Sequence, residues 1–196
     1  MDLISKSAVV LLIVLTLLPG IVNAHLIGGN GILSGVSHPF LGLDHMLAMV
    51  AVGIIAVRAG GKAVFGLPMT FVSFMVLGGA LAVLGLPLPG VEAWIAISLL
   101  VFGIMVALTK KLPMNIAFAC VAIFALFHGH AHGEEIPAIA SPALYALGFV
   151  ISTTLLHLSG ALTAYFAQRT VFAQKVFHLA GAAISITGLI LLVGLI

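Results

Sequence analysis

Long apolar segments separated by short polar turns occupy the chain from Pro39 to its last residue. A helix needs about 20 consecutive apolar residues to cross a bilayer, and each of these segments is long enough for one crossing. The pattern predicts an all-α, polytopic bundle of six transmembrane helices. The predicted spans are residues 39–57, 64–84, 92–108, 113–132, 142–167 and 176–196.

The N-terminal segment has a different pattern. Lys6 is followed by an apolar stretch and then by a run of small residues that ends at Ala24. This order is typical of a secretory signal peptide, so we predict cleavage after residues 1–24 and a mature membrane domain over residues 25–196. His25 would then carry the free amine. The alternative is an uncleaved first span.

Composition and charge support this class of protein. Hydrophobic residues make up 63% of the 196-residue chain and charged residues 6%, whereas about a quarter of an ordinary soluble domain is charged. The net charge of +2 is too small for a nucleic-acid interface. After the signal peptide, all basic residues fall in alternate turns, which the positive-inside rule makes cytoplasmic. These residues are Arg58, Lys62, Lys110, Lys111, Arg169 and Lys175. We therefore expect a bacterial inner (cell) membrane protein with a periplasmic or extracellular mature N-terminus.

The first span contains ionisable residues, each of which costs at least ~2.5 kcal/mol at the bilayer centre and so needs a partner or a function. His38 and His45 are seven residues apart, which predicts one face of a continuous helix and a separation in depth of ~10 Å. Asp44 adjoins His45. Its carboxylate is expected either to bind a metal directly or to orient a neighbouring imidazole.

The fourth span ends in a histidine-rich segment followed by two acids. His128 and His132 are one helical turn apart, the spacing by which one helix offers two imidazoles to the same metal ion. Glu134 and Glu135 follow directly. For His130, the alternative is a solvated loop that happens to be rich in histidine.

Three further residues extend this set. Glu92 opens the third span, where a carboxylate is either a ligand or simply stabilised by the helix dipole. His157 and His178 lie in the last two spans, and each alone also fits a hydrogen-bonded structural histidine. By predicted depth, the histidines form a ladder across the membrane. A series of moderate sites lets an ion enter and still leave, as conduction requires.

The side-chain chemistry favours a borderline divalent ion. Imidazole suits Ni, Co, Zn and Cu, whereas a Cu(I) path would be richer in Met and Cys and a Mg path would use oxygen. We therefore expect a transported metal ion and no permanently bound cofactor. The alternative is a zinc-dependent intramembrane hydrolase, in which Ser37 or Ser159 would meet the histidines and an Asp around an activated water.

Three strings of residues identify a family: His38 through Asp44-His45 to Met49, Phe127-His128-Gly129 through His132 to Glu135, and Leu156-His157 with Gly160. They resemble the HupE/UreJ family of nickel and cobalt permeases, which are accessory to hydrogenase or urease. The resemblance implies uptake of nickel or cobalt for metalloenzyme maturation. We also expect no enzymatic activity, and cytoplasmic metallochaperones as partners that trap the metal. The resemblance further implies a metal role for His38, Asp44, His45, Glu92, His132 and Glu135. With the residues argued above, the predicted metal-binding set is His25, His38, Asp44, His45, Glu92, His128, His132, Glu134, Glu135 and His157.

Overall fold

The computed structural model describes residues 31–108, 113–138, 140–167 and 171–196. Within these ranges the chain forms seven α-helices and one short 3-10 helix, His38–Phe40, with no strand. The α-helices are α1 Gly31–Ser37, α2 Leu43–Ala59, α3 Ala63–Val83, α4 Val91–Ala107, α5 Met114–Glu134, α6 Pro142–Ala167 and α7 Val171–Gly194. The all-α prediction is therefore confirmed. The predicted signal peptide and His25 lie outside the described residues.

Helices α2 to α7 occupy the six predicted segments. Four of the described helices are long and apolar enough to cross a membrane, namely α3, α5, α6 and the 174–194 part of α7. A fifth span results if α1 and α2 count as one bent crossing, whereas α4 has only 17 residues. The six-span count therefore stays a prediction. The last predicted span, residues 176–196, overlaps this 174–194 part, and the helix itself begins earlier, at Val171.

The helices pack in pairs through glycines. In α5, a Cβ added at Gly129 would collide with the backbone oxygen of Met75 in α3. In α2, a Cβ at Gly53 would collide with the backbone oxygen of His157 in α6. Small residues of this kind let membrane helices approach until their backbones touch. The close contacts thus pair α5 with α3 and α2 with α6, and the helices α2, α5 and α6 carry most of the candidate ligands.

The outside of the bundle is apolar. Large hydrophobic side chains such as Phe65, Met69, Leu179 and Ile190 are more than half exposed, while ten of the 17 residues of α2 are buried. A water-soluble protein rarely exposes an apolar surface of this extent. The long apolar helices and their exposed hydrophobic faces are those of a membrane protein.

The start of the first predicted span is bent. The segment formed by α1 and the 3-10 helix meets α2 at an angle of 81°. Gly42, which precedes α2, has an extended backbone with φ −96° and ψ 111°. The prediction that His38 and His45 share one face of a continuous helix was therefore wrong, because the helical repeat is interrupted between them.

Candidate metal site

Three potential metal ligands meet where α5 ends and the 3-10 helix begins. We call this corner of the bundle the histidine end. Among the residues that the structure describes, His38, His132 and Glu135 form a set whose ligand atoms all lie within 4.8 Å of one another. His38 Nε2 lies 2.8 Å from Glu135 Oε2, and His132 Nδ1 lies 3.4 Å from the same oxygen. His132 is buried, whereas the Glu135 side chain is half exposed. The set is therefore reachable from outside the bundle on its carboxylate side.

The charge of Glu135 is stabilised by its neighbours. Glu135 follows the last residue of α5, and the adjacent imidazoles of His132 and His38 hold the pKa of its carboxyl well below the usual value. An ionised carboxylate only accepts hydrogen bonds, so His38 Nε2–H donates to it. A bound cation would take the place of that proton, since metal ligands must be deprotonated.

Asp44 orients the imidazole of His45. The Asp44 Oδ1 atom accepts hydrogen bonds from the His45 ring Nδ1–H at 2.8 Å and from the His45 backbone N–H at 2.9 Å. Of the two roles expected for Asp44, the orienting hydrogen bond is the one observed. With the proton on Nδ1, His45 Nε2 carries a lone pair, and this buried atom has no hydrogen-bond partner among the described residues. Such a carboxylate–histidine pair is the usual support of a metal-binding imidazole.

Ser98 of α4 orients the imidazole of His128. The Ser98 hydroxyl donates its single proton to the Ile95 carbonyl oxygen at 2.6 Å, so its oxygen must accept from His128 Nε2–H at 2.9 Å. His128 Nδ1 is then left with a free lone pair, and it is buried without a described partner. Ser98 was not among the residues predicted from the sequence. In the sequence, only its polarity distinguishes Ser98. Apart from Glu92 and the indole N–H of Trp94, the other side chains of α4 are apolar.

The four histidines at this end form a continuous series of rings. The His38 and His132 rings have centroids 5.0 Å apart, His132 and His45 4.1 Å, and His45 and His128 4.8 Å. Although the chain bends between His38 and His45, both residues reach His132. The helical placement of His128 and His132 on one turn of α5 is confirmed. The series leads from the half-exposed Glu135 to buried imidazoles inside the bundle.

His157 lies beyond this series, on the other side of Phe71. The Phe71 ring centroid is 5.8 Å from that of His128 and 5.0 Å from that of His157, and Phe71 is fully buried. Both ring nitrogens of His157 are buried without a described hydrogen-bond partner. The expected ladder is therefore interrupted by an aromatic side chain. His178 does not continue it, because its side chain is exposed on α7.

The remaining polar residues near this end have other surroundings. His130 is a buried residue of α5 that donates from Nε2 to the Leu86 carbonyl oxygen at 2.9 Å, so the alternative of a solvated loop is wrong. Glu134 is exposed, with Oε2 3.7 Å from His130 Nδ1. Glu92 is exposed in the first turn of α4, and no described hydrogen bond or ion pair joins it to the histidines. The structure thus brings together His38, His45, His128, His132 and Glu135, but not Glu92.

The two serines of the hydrolase alternative do not reach the cluster. The Ser37 hydroxyl donates to the Ser34 carbonyl oxygen at 3.2 Å, and the Ser159 hydroxyl donates to the Leu156 carbonyl oxygen at 2.8 Å. Both bonds are local, within the residue's own stretch of helix. In the described part of the chain, neither serine is hydrogen-bonded to an imidazole that could activate it.

Known proteins resemble the chain over most of its length. The family model described as HupE / UreJ protein matches residues 13–191. The protein named Protein HupE from Rhizobium leguminosarum bv. viciae is 44% identical over 178 residues, which cover 90% of this chain and 93% of that relative. No solved structure matches the chain. The extent of these matches establishes that the chain belongs to the HupE/UreJ family.

Proposed function

We propose that the chain is an inner-membrane permease that takes up a divalent transition metal ion, nickel or cobalt, for the maturation of a metalloenzyme, and that it is not itself an enzyme. One observation carries this proposal. The ligand set of His38, His132 and Glu135 continues directly into buried imidazoles whose ring nitrogens are unpartnered. Membership of a family with accessory roles for hydrogenase or urease agrees with it.

The ligands suit these ions. Imidazole nitrogen with carboxylate oxygen is a borderline donor set that binds Ni²⁺ and Co²⁺, whereas Cu(I) prefers sulfur and Mg²⁺ prefers oxygen. Three protein ligands also leave at least one coordination position open. Such a site holds the ion with fewer protein ligands than a closed four-ligand site. The ion can therefore leave again, as a transported substrate must and a resident cofactor need not.

The order of transfer follows from exposure and contact. The ion is captured at His38, His132 and the half-exposed Glu135, and it then passes to His45 and His128. His157 is the next ligand, and Phe71 has to move aside for the ion to reach it. In this proposal the exposed acids Glu92 and Glu134, together with His25 of the mature N-terminus, attract cations to the entrance.

The membrane potential supplies a driving force. With the basic turns in the cytoplasm and the histidine end outside, an inward-negative potential of about 100 mV is worth ~4.6 kcal/mol for an ion of two charges. The sequence contains no phosphate-binding loop of the G-x-x-x-x-G-K-[ST] type, so ATP hydrolysis by this chain is not part of the proposal. Cytoplasmic metallochaperones would trap the ion after release.

Uptake of radioactive nickel and cobalt into cells tests the proposal. We would compare wild type, His45→Ala, His157→Ala and an empty vector at equal membrane abundance. His178→Ala is the matched control, because it removes an exposed imidazole outside the series. We expect wild type and His178→Ala to accumulate metal and the other two variants to lose most of it. Equal accumulation in wild type and vector would rule the permease function out.

A further inference from the structure

A cavity adjoins the buried side of the ligand set. It has a volume of about 230 Å³ and lies between α3, α5 and α6. Its wall is almost entirely apolar, formed by residues such as Met75, Gly79 and Phe149. Among its described lining residues, only His132 and Tyr145 carry a polar side-chain group. His132 therefore belongs both to the ligand set and to this cavity.

The hydroxyl of Tyr145 is buried and uncommitted. Tyr145 is only 2% exposed, and its hydroxyl oxygen has no hydrogen-bond partner among the described residues. Its ring packs against that of His38, with centroids 5.7 Å apart, and against Phe149 at 6.1 Å. A buried hydroxyl without a partner is destabilising, and most such groups in proteins are paired with protein or ordered water. Phenylalanine would fill the same space without that cost, so the hydroxyl points to a ligand.

The metal site provides such a ligand. An ion held by His38, His132 and Glu135 keeps at least one water molecule in its open position. Water in an otherwise apolar cavity needs polar partners to stay in place. A metal-bound water is a strong hydrogen-bond donor because the ion increases its acidity. A tyrosine oxygen is able to accept that bond.

We propose that the Tyr145 hydroxyl accepts a hydrogen bond from a water molecule on the captured metal ion, and so positions a partly hydrated substrate at the entrance. This inference rests on the proposed function, since it requires that His38, His132 and Glu135 bind the ion. Tyr145 acts as a positioning residue. Groups that hydrogen-bond to the ligands of a metal typically contribute about 10- to 100-fold to its affinity.

Tyr145→Phe is the direct test, because it removes the hydroxyl and keeps the ring against His38. The purified full chain in detergent would be titrated with Ni²⁺ by calorimetry. The absorption bands of bound Co²⁺ would be recorded at saturation, and thermal unfolding would be measured without metal. Tyr165→Phe is the matched control, since Tyr165 lies in the same helix but lines a different cavity, next to His157. The two are the only tyrosines in the chain.

We expect Tyr145→Phe to weaken Ni²⁺ binding about 10-fold or more. The Co²⁺ band positions should be unchanged, because the protein ligands stay in place. The unfolding temperature of the metal-free protein should equal or exceed that of wild type, because the variant no longer buries an unpaired hydroxyl. Tyr165→Phe should bind like wild type. Wild-type affinity in Tyr145→Phe would overturn the inference, and so would a weaker affinity accompanied by shifted Co²⁺ bands.

His132→Ala separates this inference from the proposed function. If His132→Ala loses Ni²⁺ binding while Tyr145→Phe keeps it, the inference about the hydroxyl fails and the metal site stands. If His132→Ala binds and transports the ion like wild type, the proposed site itself is wrong, and the inference fails with it.

Discussion

His38 Nε2 and Glu135 Oε2 lie 2.8 Å apart although 97 positions separate the two residues in the chain. The contact joins the segment before α2 to the residue that follows α5. His132 Nδ1 approaches the same carboxylate oxygen to 3.4 Å. The two imidazoles therefore share one carboxylate oxygen. Among the described residues, this is the only place where the series of histidine rings meets a half-exposed acid. This is the position where an ion would first exchange solvent for protein ligands.

The substitution Glu135→Gln removes this charge with little change of shape. We expect the affinity for Ni²⁺ to fall about 10-fold or more, because a neutral amide oxygen is a much weaker partner for a divalent cation than a carboxylate. Calorimetric titration of the purified protein would measure the change.

Glu134→Gln is the matched control for this experiment. Glu134 is the adjacent acid and is similarly exposed, and among the described residues it forms an ion pair only with His130, at 3.7 Å. Its loss removes the same net charge from the surface but no member of the ligand set, so we expect a smaller decrease. Equal decreases in the two variants would mean that the acids act by general attraction rather than by coordination.

Glu135 should not contribute to the pH dependence of metal binding near neutral pH. Neighbouring imidazoles lower the pKa of Glu135, so its negative charge is present at every pH above that lowered value and is lost only when the pH falls through it. The metal affinities of wild type and Glu135→Gln would be measured between about pH 7.5 and about pH 5.5. We expect the ratio of the two affinities to stay constant over this range, because the carboxylate remains ionised throughout. A ratio that decreases as the pH is lowered would mean that the carboxylate takes up a proton within the range.

Ser98→Ala tests the role of the hydroxyl in fixing the tautomer of His128. Without the Ser98 oxygen, His128 Nε2–H loses its acceptor and the ring proton is free to move to Nδ1, the atom otherwise available to the ion. We expect nickel uptake to fall about 10-fold. The unpaired buried group should also cost about 1–3 kcal/mol of the free energy of unfolding. Radioactive uptake and thermal unfolding would measure the two effects separately.

Ser185→Ala is the comparison for that variant. The Ser185 hydroxyl donates to the Leu100 carbonyl oxygen at 3.0 Å and so links α7 to α4, and no imidazole in the described ranges bonds to it. Its removal should lower stability to a similar or smaller extent and leave uptake unchanged. If both serine variants transport normally, the hydroxyl of Ser98 has only a packing role.

The helices and the α5 histidines were predictable from local pattern. Apolar length alone located the six main helices within a few residues. The spacing of His128 and His132 was informative because α5 continues as a regular helix to Glu134. Their burial also followed from position, since both residues end an uninterrupted apolar stretch that has to pack inside the bundle.

Two features depended on tertiary structure and were not predictable. The apolar pattern continues through Leu41 and Gly42, and glycine is common in membrane helices, so nothing local indicated an 81° bend there. Ser98 is 30 positions away from His128 and has no motif around it, so their hydrogen bond exists only because α4 packs beside α5. In both cases, the missing information was which helices are neighbours.

The substitution Gly42→Ala tests whether the backbone at the bend leaves room for the hydrogen bond between Asp44 and His45. The backbone of Gly42 has φ −96°, which alanine adopts without strain, so the substitution should not prevent folding. A Cβ at this position would, however, lie 2.8 Å from Asp44 Oδ1 and 3.0 Å from His45 Nδ1. The carboxylate has to move away from the imidazole that it orients. We expect nickel uptake to fall about 10-fold while the unfolding temperature stays close to that of wild type.

Gly194→Ala controls for the glycine-to-alanine change, because a Cβ there, in the last turn of α7, would meet no atom of the described residues within 4 Å. It should transport nickel like wild type. The comparison isolates the Asp44–His45 hydrogen bond, since neither substitution removes a polar group or changes a charge. Normal uptake by Gly42→Ala would mean that His45 binds the ion without being held by Asp44, and that Asp44 must act through some other contact.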